Sequence, residues 1–442
     1  MMRYYLLTLG CAKNVADSDG LDALLAQNGM TRTAQATDAD VLIVNTCGFL
    51  RAARREALDT LRELGEHKRA DQRLIAIGCL VSRDGAAIQR EVPQVDAILD
   101  AGQWLALPRV LARATGDWRA DASSDLPTAR SIVARLPRQA QGPSAYLKIA
   151  DGCDRPCAFC IIPAIKGAQR SKRPDDVIAE ARDLVTRGAR EIILIAQDTT
   201  AYGWDFDERD ALATLIERLC REVEGLAWLR LMYTFPGHIT PRLIETMARY
   251  PQVTHYIDVP LQHAHPDTLA RMKRPNITVT RQMLDALRAA MPDLAIRTTF
   301  IVGFPGETED EFRALLEFLE EQQFDRVGIF EFSREEGTPA ATMPHQVPSR
   351  IKKERRARAM ALQQKISLAK NRAWLGKELH VLVEGAGDGV SIARAYRDAP
   401  EVDGIVLIQN ELPIGTFARV NITQAMEYDL VGVQDSAMNP KL

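Results

Sequence analysis

Residues 145–163 read AYLKIADGCDRPCAFCIIP. The run AYLKIA is short and apolar, as a strand buried on both faces of a parallel sheet must be. It breaks at Asp151-Gly152 and opens directly onto Cys153, Cys157 and Cys160. In α/β folds the loops that leave the carboxyl ends of strands carry the ligand sites. The three thiols are therefore expected on the functional rim of an α/β domain.

Outward from this stretch the same rhythm continues to about Glu336. Further strand candidates are REIILIA, WLRLMY, THYIDVP, LAIRTTFIVG and DRVGIFEF. Helical stretches separate them, at about Asp175–Thr186, Leu212–Glu222, Thr280–Ala290 and Thr308–Glu321. Six βα units predict a partial barrel, where a closed one has about eight. Residues 1–100 show a second parallel-sheet rhythm: YYLLTLG, ADVLIVNTC and QRLIAIGC alternate with helical segments, the first at about Asp17–Gln27. Residues 101–143, rich in Gly, Pro, Ser and Asp, read as a linker, followed by a central domain over 144–370. Residues 371–442 hold short strand candidates broken by Gly, Asp and Pro, the pattern of a small antiparallel β-barrel. From Gly376 onward acidic residues outnumber basic ones two to one. The basic tract SRIKKERRARAMALQQKISLAKNRAW before it reads as a solvated linking helix, or as a surface that also meets RNA.

Composition bounds the rest. The 442 residues are 46% hydrophobic and 26% charged, with a net charge of -3, so no global charge argues for nucleic acid. The N-terminus lacks the pattern of a signal peptide, and no run of about eighteen apolar residues predicts a membrane span. Seven cysteines form no disulfide scaffold, and the cytoplasm is the expected compartment.

Three thiols in eight residues lack the fourth ligand of a tetrahedral zinc site, the alternative being a zinc knuckle completed from a distance. A four-iron cube held by three thiolates keeps one iron open for chemistry. Cys11, Cys47 and Cys79 each fall just past a predicted strand of the first domain, so a parallel sheet would bring them to one edge. They make a second three-thiol set, unless they are ordinary buried cysteines. Lys13 is placed to offset the charge of ligating thiolates, and Asn45 to donate a hydrogen bond to a sulfur. Cys220, within a helical pattern, reads as structural. Gly303, Pro305 and Gly306, in FIVGFPGETEDE, allow close backbone approach to a ligand at a strand–helix joint. Gln197 and Asp198 lie at another strand end.

The C-x3-C-x2-C spacing, with Phe159 before the last Cys, resembles that of radical S-adenosylmethionine (SAM) enzymes. Together with LGCAKN, NTCGF and IGC in the first domain, it resembles the methylthiotransferases over nearly the full chain, and the terminal barrel is similar to their TRAM domain, an OB-like module. Within that family LIAQDTTAYG, PLQH, FIVGFPGETEDEF, DRVGIFEFSREEGTPA, YRDAPEVDG and YDLVGV resemble the branch that modifies an aspartate in the twelfth protein of the small ribosomal subunit. The other branch modifies an adenosine of transfer RNA and is the alternative reading. More distant is a metal and nucleic-acid binding module without enzyme activity. The chain departs from the family at two points. It has no Gly-Gly-Glu motif, which leaves Gln197 or Asp198 in that place, and Asp151 replaces the more usual Glu.

The resemblance implies two [4Fe-4S] clusters, one on Cys153, Cys157 and Cys160 with SAM, the other on Cys11, Cys47 and Cys79. Gln197, Asp198, Gly303, Pro305 and Gly306 are the implied cofactor-binding residues, and no side chain is assigned an acid–base role. The implied product is 3-methylthioaspartate on the ribosomal protein, free or within the ribosome. A low-potential donor such as flavodoxin or ferredoxin would supply electrons. An accessory protein is left open, and a monomer is expected.

Overall fold

The computed structural model of the chain describes residues 1–100, 103–112, 134–138 and 142–434. Most of the expected linker, residues 101–143, and the last eight residues of the terminal domain, 435–442, lie outside the described residues.

The first sheet consists of β1 (Arg3–Thr8), β2 (Thr31–Arg32), β3 (Val41–Thr46), β4 (Arg73–Gly78) and β5 (Ala97–Leu99). All pairs are parallel, in the order β2-β1-β3-β4-β5. The central β3, VLIVNT, is buried throughout, as a doubly covered strand requires. Helix α1 (Ala12–Gln27) follows β1, α2 (Arg51–His67) follows β3, and α3 (Cys79–Glu91) follows β4. The sequence suggests that α1 begins near Asp17. It begins five residues earlier, with extended Cys11 at its N-cap, because Asn14 and Ser18 on its first turns find buried partners on β3.

The central sheet starts with β6 (Ser144–Lys148). A short antiparallel pair, β7 (Ala150–Asp151) and β8 (Arg170–Ser171), brackets the cysteine loop. The sheet resumes with β9 (Glu191–Ile195), β10 (Trp228–Leu231), β11 (Val253–Asp258), β12 (Ala295–Val302) and β13 (Arg326–Glu331). Spatial order follows chain order, β13-β12-β11-β10-β9-β6, with parallel pairing throughout. This is the open half-barrel of the six-unit reading. Helices cover its outer face over one large apolar core. Its inner face carries Tyr146, Ile193, Ile195, Met232, Tyr256 and Ala295, and other parts of the chain cover it: Ala12 and Ala16 of α1 from one side, Ala399 from the other.

The helix Ser349–Arg372 turns its basic side chains inward as well as outward: Arg355 bonds Glu307, Arg358 bonds Glu309 and Lys370 pairs with Asp325. It thus binds to the half-barrel along much of its length. The chain then forms a closed barrel of β14 (Glu378–Gly387), β15 (Val390–Ala395), β16 (Val406–Ile408), β17 (Phe417–Ala425) and β18 (Leu430–Gln434), ordered β14-β15-β16-β18-β17. Its pairs are antiparallel except β16 with β18, which run parallel because the connection carrying β17 crosses the end of the barrel. A buried charge triad joins this barrel to the central sheet. Glu191 accepts from Arg230 Nε at 2.6 Å and also pairs with Arg394. Burial favours the neutral acid, but the two guanidinium groups outweigh it and hold Glu191 down at about 2. Among the described residues no helix is long and apolar enough to cross a membrane.

Candidate functional site

The loop after β6 is shaped by backbone bonds before any cofactor is considered. Gly152 has φ +79°, and a β-carbon there would strike the Ala168 carbonyl, so only glycine fits before Cys153. Cys153 N donates to Gly167 O at 3.1 Å, Ala158 N to Met272 O at 3.0 Å, and Ala340 N to Ala158 O at 2.8 Å. The turn between Cys153 and Cys160 is thereby pinned from three directions. Arg155 N approaches Cys153 Sγ at 3.5 Å and Arg274 Nη1 approaches Cys157 Sγ at 3.6 Å. The Arg274 guanidinium also lies 4.1 Å from the Phe235 ring centroid. Burial pushes Cys153 up to about 11 and Cys160 up to about 12. A bare thiol in this pocket keeps its proton. A soft cation is needed to displace it, and cationic groups stand ready to offset the resulting charge.

The three N-terminal cysteines gather at the carboxyl ends of β1, β3 and β4, which are neighbours in the sheet. The register pairs Thr46 with Gly78, so Cys47 and Cys79 leave adjacent strands side by side. A methyl group on Gly10 would lie 3.1 Å from Cys47 Sγ, so the turn at Gly10, with φ +100°, passes close against Cys47 just before Cys11. Burial pushes Cys79 up to about 12 and raises Cys47; Cys11 and Cys47 add to the rise at Cys79, and Cys11 to that at Cys47. Cys220 instead packs against the outer core of the half-barrel, on the helix Ala211–Glu222.

The two sets face one seam. Cys79 packs with Phe49 against Ile161 and Ile165, the residues that follow Cys160. Lys166, from the short helix Ile162–Lys166, donates to Asp151 Oδ2 at 3.3 Å, as does Lys148, which also pairs with Asp17 of α1. Burial opposes the charge on Lys166, yet Asp151, with smaller contributions from Cys79 and Asp17, holds its pKa above the ordinary value. Across the seam Arg83 Nη1 donates to Gly48 O at 2.7 Å and Phe49 O at 2.9 Å, while its Nη2 meets Glu335 Oε2 at 3.1 Å. Glu335 Oε1 accepts from Arg51 N at 2.8 Å. The Cys47 loop is thus clamped to the loop after β13. Lys13 Nζ sits 3.1 Å from the centroid of Tyr233, beyond β10.

Asn45 does not face sulfur. Its Nδ2 donates to Asn14 O and Ser18 Oγ, both at 3.0 Å, which ties α1 to β3. Asn14 is the amide beside sulfur, but as an acceptor: Cys79 Sγ donates to Asn14 Oδ1 at 3.8 Å, while Asn14 Nδ2 donates to Leu9 O and Thr46 O. Helix periodicity explains this position, since the earlier start of α1 turns Asn14 inward. Gln197 Nε2 donates to Asp151 Oδ1 at 2.8 Å, and its buried Oε1 has no hydrogen-bond partner among the described residues. Asp198 accepts from Thr200 Oγ1 at 2.6 Å and meets His238 Nδ1 at 3.0 Å. Gly303 and Phe304 donate their N–H groups to Glu307 Oε2, at 2.7 and 3.2 Å. Phe304 packs with Ala158 of the cysteine loop, which brings the Gly303–Pro305–Gly306 turn to the same rim. The following helix, Glu309–Gln322, is closed by a capping box of Thr308 and Glu311. Arg83, Glu335, Lys166 and Arg274 carry no sequence signal of their own. Their roles arise from contacts between distant segments. One further group, His265, Asp267 and Glu311, is close enough to share a single ion, but Glu311 is already bound to Arg271 at 2.7 Å.

Comparison with known proteins agrees with this arrangement. Residues 3–100 match the uncharacterized protein family UPF0004, residues 147–319 the radical SAM superfamily and residues 375–434 the TRAM domain. The half-barrel and its partners superpose on the radical SAM methyltransferase TsrM from Kitasatospora setae with a TM-score of 0.59, covering 91% of this chain and 82% of that one, at 14% identity. That likeness is one of fold. Sequence similarity is much higher to the ribosomal protein uS12 methylthiotransferases RimO of Roseiflexus sp. (strain RS-1), 49% identical over 98% of this chain and 97% of that protein, and of Desulforamulus reducens, 46% identical over 97% and 98%. With both thiol sets on one seam and a likeness that runs nearly end to end, the chain belongs to the RimO family of radical SAM methylthiotransferases.

Proposed function

We propose that the protein transfers a methylthio group to the β-carbon of an aspartate side chain in ribosomal protein uS12, giving 3-methylthioaspartate. The observation that carries the reading is the meeting of two three-thiol sets across one seam, in a chain so similar to the uS12 methylthiotransferases. Cys153, Cys157 and Cys160 would hold one [4Fe-4S] cluster together with SAM, and Cys11, Cys47 and Cys79 a second. The donor sets fit such groups: burial keeps Cys47, Cys79, Cys153 and Cys160 protonated when bare, and Arg274 and Lys166 stand nearby to balance charge. Bound there, cluster and SAM supply the one-electron chemistry that removing a hydrogen atom from an unactivated CH2 requires.

The chain's own residues position and enclose. Gln197 keeps its Oε1 free beside Asp151, a place for a donor from SAM, while Asp198 fixes Arg155 and His238 around the mouth. Gly303, Pro305 and Gly306 would shape the wall against the adenosyl part, held in form by Glu307. The domains would divide at 1–100, 144–370 and 371–442. A low-potential flavodoxin or ferredoxin would reduce the protein, which would act as a monomer in the cytoplasm. The test is anaerobic reconstitution with iron and sulfide counting, followed by turnover with uS12 and, separately, transfer RNA. About eight irons per chain and a methylthio mass increment on uS12 alone are expected. About four irons, or an increment on transfer RNA, would contradict the reading.

A further inference from the structure

The cations around the seam are nearly all engaged. Arg155 meets His238 Nε2 at 3.0 Å and Asp198 Oδ2 at 3.6 Å. Arg274 lies against Cys157 Sγ and Pro260 O. Arg297 pairs with Asp258 at 2.8 Å, and Lys148 and Lys166 share Asp151. Lys13 differs. Among the described residues no carboxylate lies within ion-pair distance of its Nζ, which rests only on the face of Tyr233.

The placement is built on both sides. Lys13 stands on the first turn of α1, two residues after Cys11, where Ala12 and Ala16 enter the mouth of the half-barrel. Tyr233 holds φ +61°, a conformation costly for a bulky residue. Two bonds keep it there: its N–H donates to Asp258 Oδ2 at 3.1 Å, and Thr199 N donates to its carbonyl at 3.0 Å. Burial lowers the Lys13 pKa from its ordinary value, against the opposing pull of Cys11, Asp258, Cys79 and Asp151. The fold therefore spends backbone strain and desolvation to hold one amino group beside the N-terminal thiol set, where no carboxylate among the described residues pairs with it; a carboxylate bound on its open side would favour the ammonium form.

We propose that Lys13, held on the Tyr233 ring, receives the side-chain carboxylate of the substrate aspartate, and so selects aspartate and presents the adjoining CH2 to the seam. The proposal rests on the uS12 reading above. An ammonium group is a compact point charge with three donors; it can keep one side on an aromatic face and bind a carboxylate with the other. A site built for an anion rejects the neutral isostere, because its own buried charge is then left unpaired.

The test is a double-mutant cycle between enzyme and substrate. Binding of uS12, and of uS12 with the target Asp→Asn, is measured without reductant, on reconstituted wild type, Lys13→Met and Lys13→Arg; iron content is measured on each, and turnover on the wild type. Lys13→Met should weaken binding of the aspartate form at least about tenfold, the scale of one charge-assisted bond. It should leave the asparagine form unchanged and the iron content at the wild-type level. Lys13→Arg, which keeps the charge, should retain most of the discrimination. Equal losses for both substrates would assign Lys13 a structural role and overturn the proposal. So would iron loss in Lys13→Met with discrimination intact in the iron-loaded fraction, which would make Lys13 a counter-charge to ligating thiolates. Wild type that leaves uS12 unmodified overturns the functional reading and this proposal together, whereas modified uS12 with additive effects overturns the proposal alone.

Discussion

The clamp between Arg83 and Glu335 makes the most direct link between packing and chemistry. Their side chains are 8% and 3% exposed, so the pair is desolvated, and Glu335 also satisfies Arg51 N and Ser333 Oγ. At 3.1 Å the gross attraction is about 5 kcal/mol for an effective dielectric constant near 20. Removing one partner of a buried pair costs about 3–5 kcal/mol. Glu335→Gln should cost less, about 1–3 kcal/mol, because the amide oxygen can still serve Arg51 N and Ser333 Oγ while Arg83 keeps the carbonyls of Gly48 and Phe49. The pair joins the Cys47 loop to the loop after β13 and touches none of the bonds that pin Cys153–Cys160. Its loss should therefore act on the relation between the thiol sets and spare SAM cleavage.

Three quantities decide this for Glu335→Gln, Arg83→Met and the double variant: denaturant stability, 5'-deoxyadenosine formed, and methylthiolated product formed. Cleavage should stay near wild type, while product per SAM cleaved falls about tenfold for each 1.4 kcal/mol of docking energy lost. The double variant should lose less than the sum, since neither charge is stranded. If stability drops and the ratio of product to cleaved SAM does not move, the clamp holds the fold together without positioning the Cys47 loop, and the reasoning is wrong.

Three other expectations can be checked separately. Glu191 is held down at about 2 against an ordinary value near 4.5, so its contribution is fully present above pH ~4.5 and disappears as pH falls towards 2. That contribution is on the order of 3 kcal/mol, and Glu191→Gln should flatten this acid limb in urea titrations between pH 5 and 3; an unchanged limb would exclude Glu191 as its source. Cys157→Ala should abolish SAM cleavage, whereas Cys47→Ala should retain some cleavage but lose sulfur insertion, so normal product from the Cys47 variant would remove that set from the chemistry. Gly10→Ala places a methyl 2.7 Å from Cys47 Cβ at a backbone φ of +100°, so it should deplete iron from the N-terminal set alone, read as partial iron loss with SAM cleavage preserved.

The central strands were legible because each is an apolar run closed by a polar or glycine residue, and the gathering of Cys11, Cys47 and Cys79 followed from parallel strand ends. What sequence could not convey depended on contact between segments far apart. Arg83 and Glu335 are 252 residues apart, and neither stands out from its neighbours. The β7–β8 bracket is two residues long on each side, too short for any alternation to register. Asn45 is the expected partner of sulfur and Asn14 meets it instead, as an acceptor, because direction on a helix depends on where the helix begins, and the AKNVADSD segment, with its polar residues buried against β3, hides that start. The parallel pair in the terminal barrel likewise depends on how a connection crosses the barrel end, which periodicity cannot encode.

An open half-barrel raises a problem that a closed barrel does not. In a closed barrel the inner side chains fill the interior by packing on one another. Six strands leave an apolar inner face, and here Ala12 and Ala16 of α1 cover it beside Tyr146, Ile195 and Met232. The covering residues are small, which lets the helix axis come close. The same helix begins at Cys11 and carries Lys13 and Asn14 on its first turn. The burial that completes the central core is therefore the burial that sets how deep the N-terminal thiols stand in the mouth. A larger side chain at position 12 or 16 would lift α1, and it would move Cys11, Lys13 and Asn14 together away from Tyr233 and the Cys153–Cys160 loop. Stability of the half-barrel and spacing of the two thiol sets are in this way one variable, which is why the N-terminal domain acts as part of the site's wall.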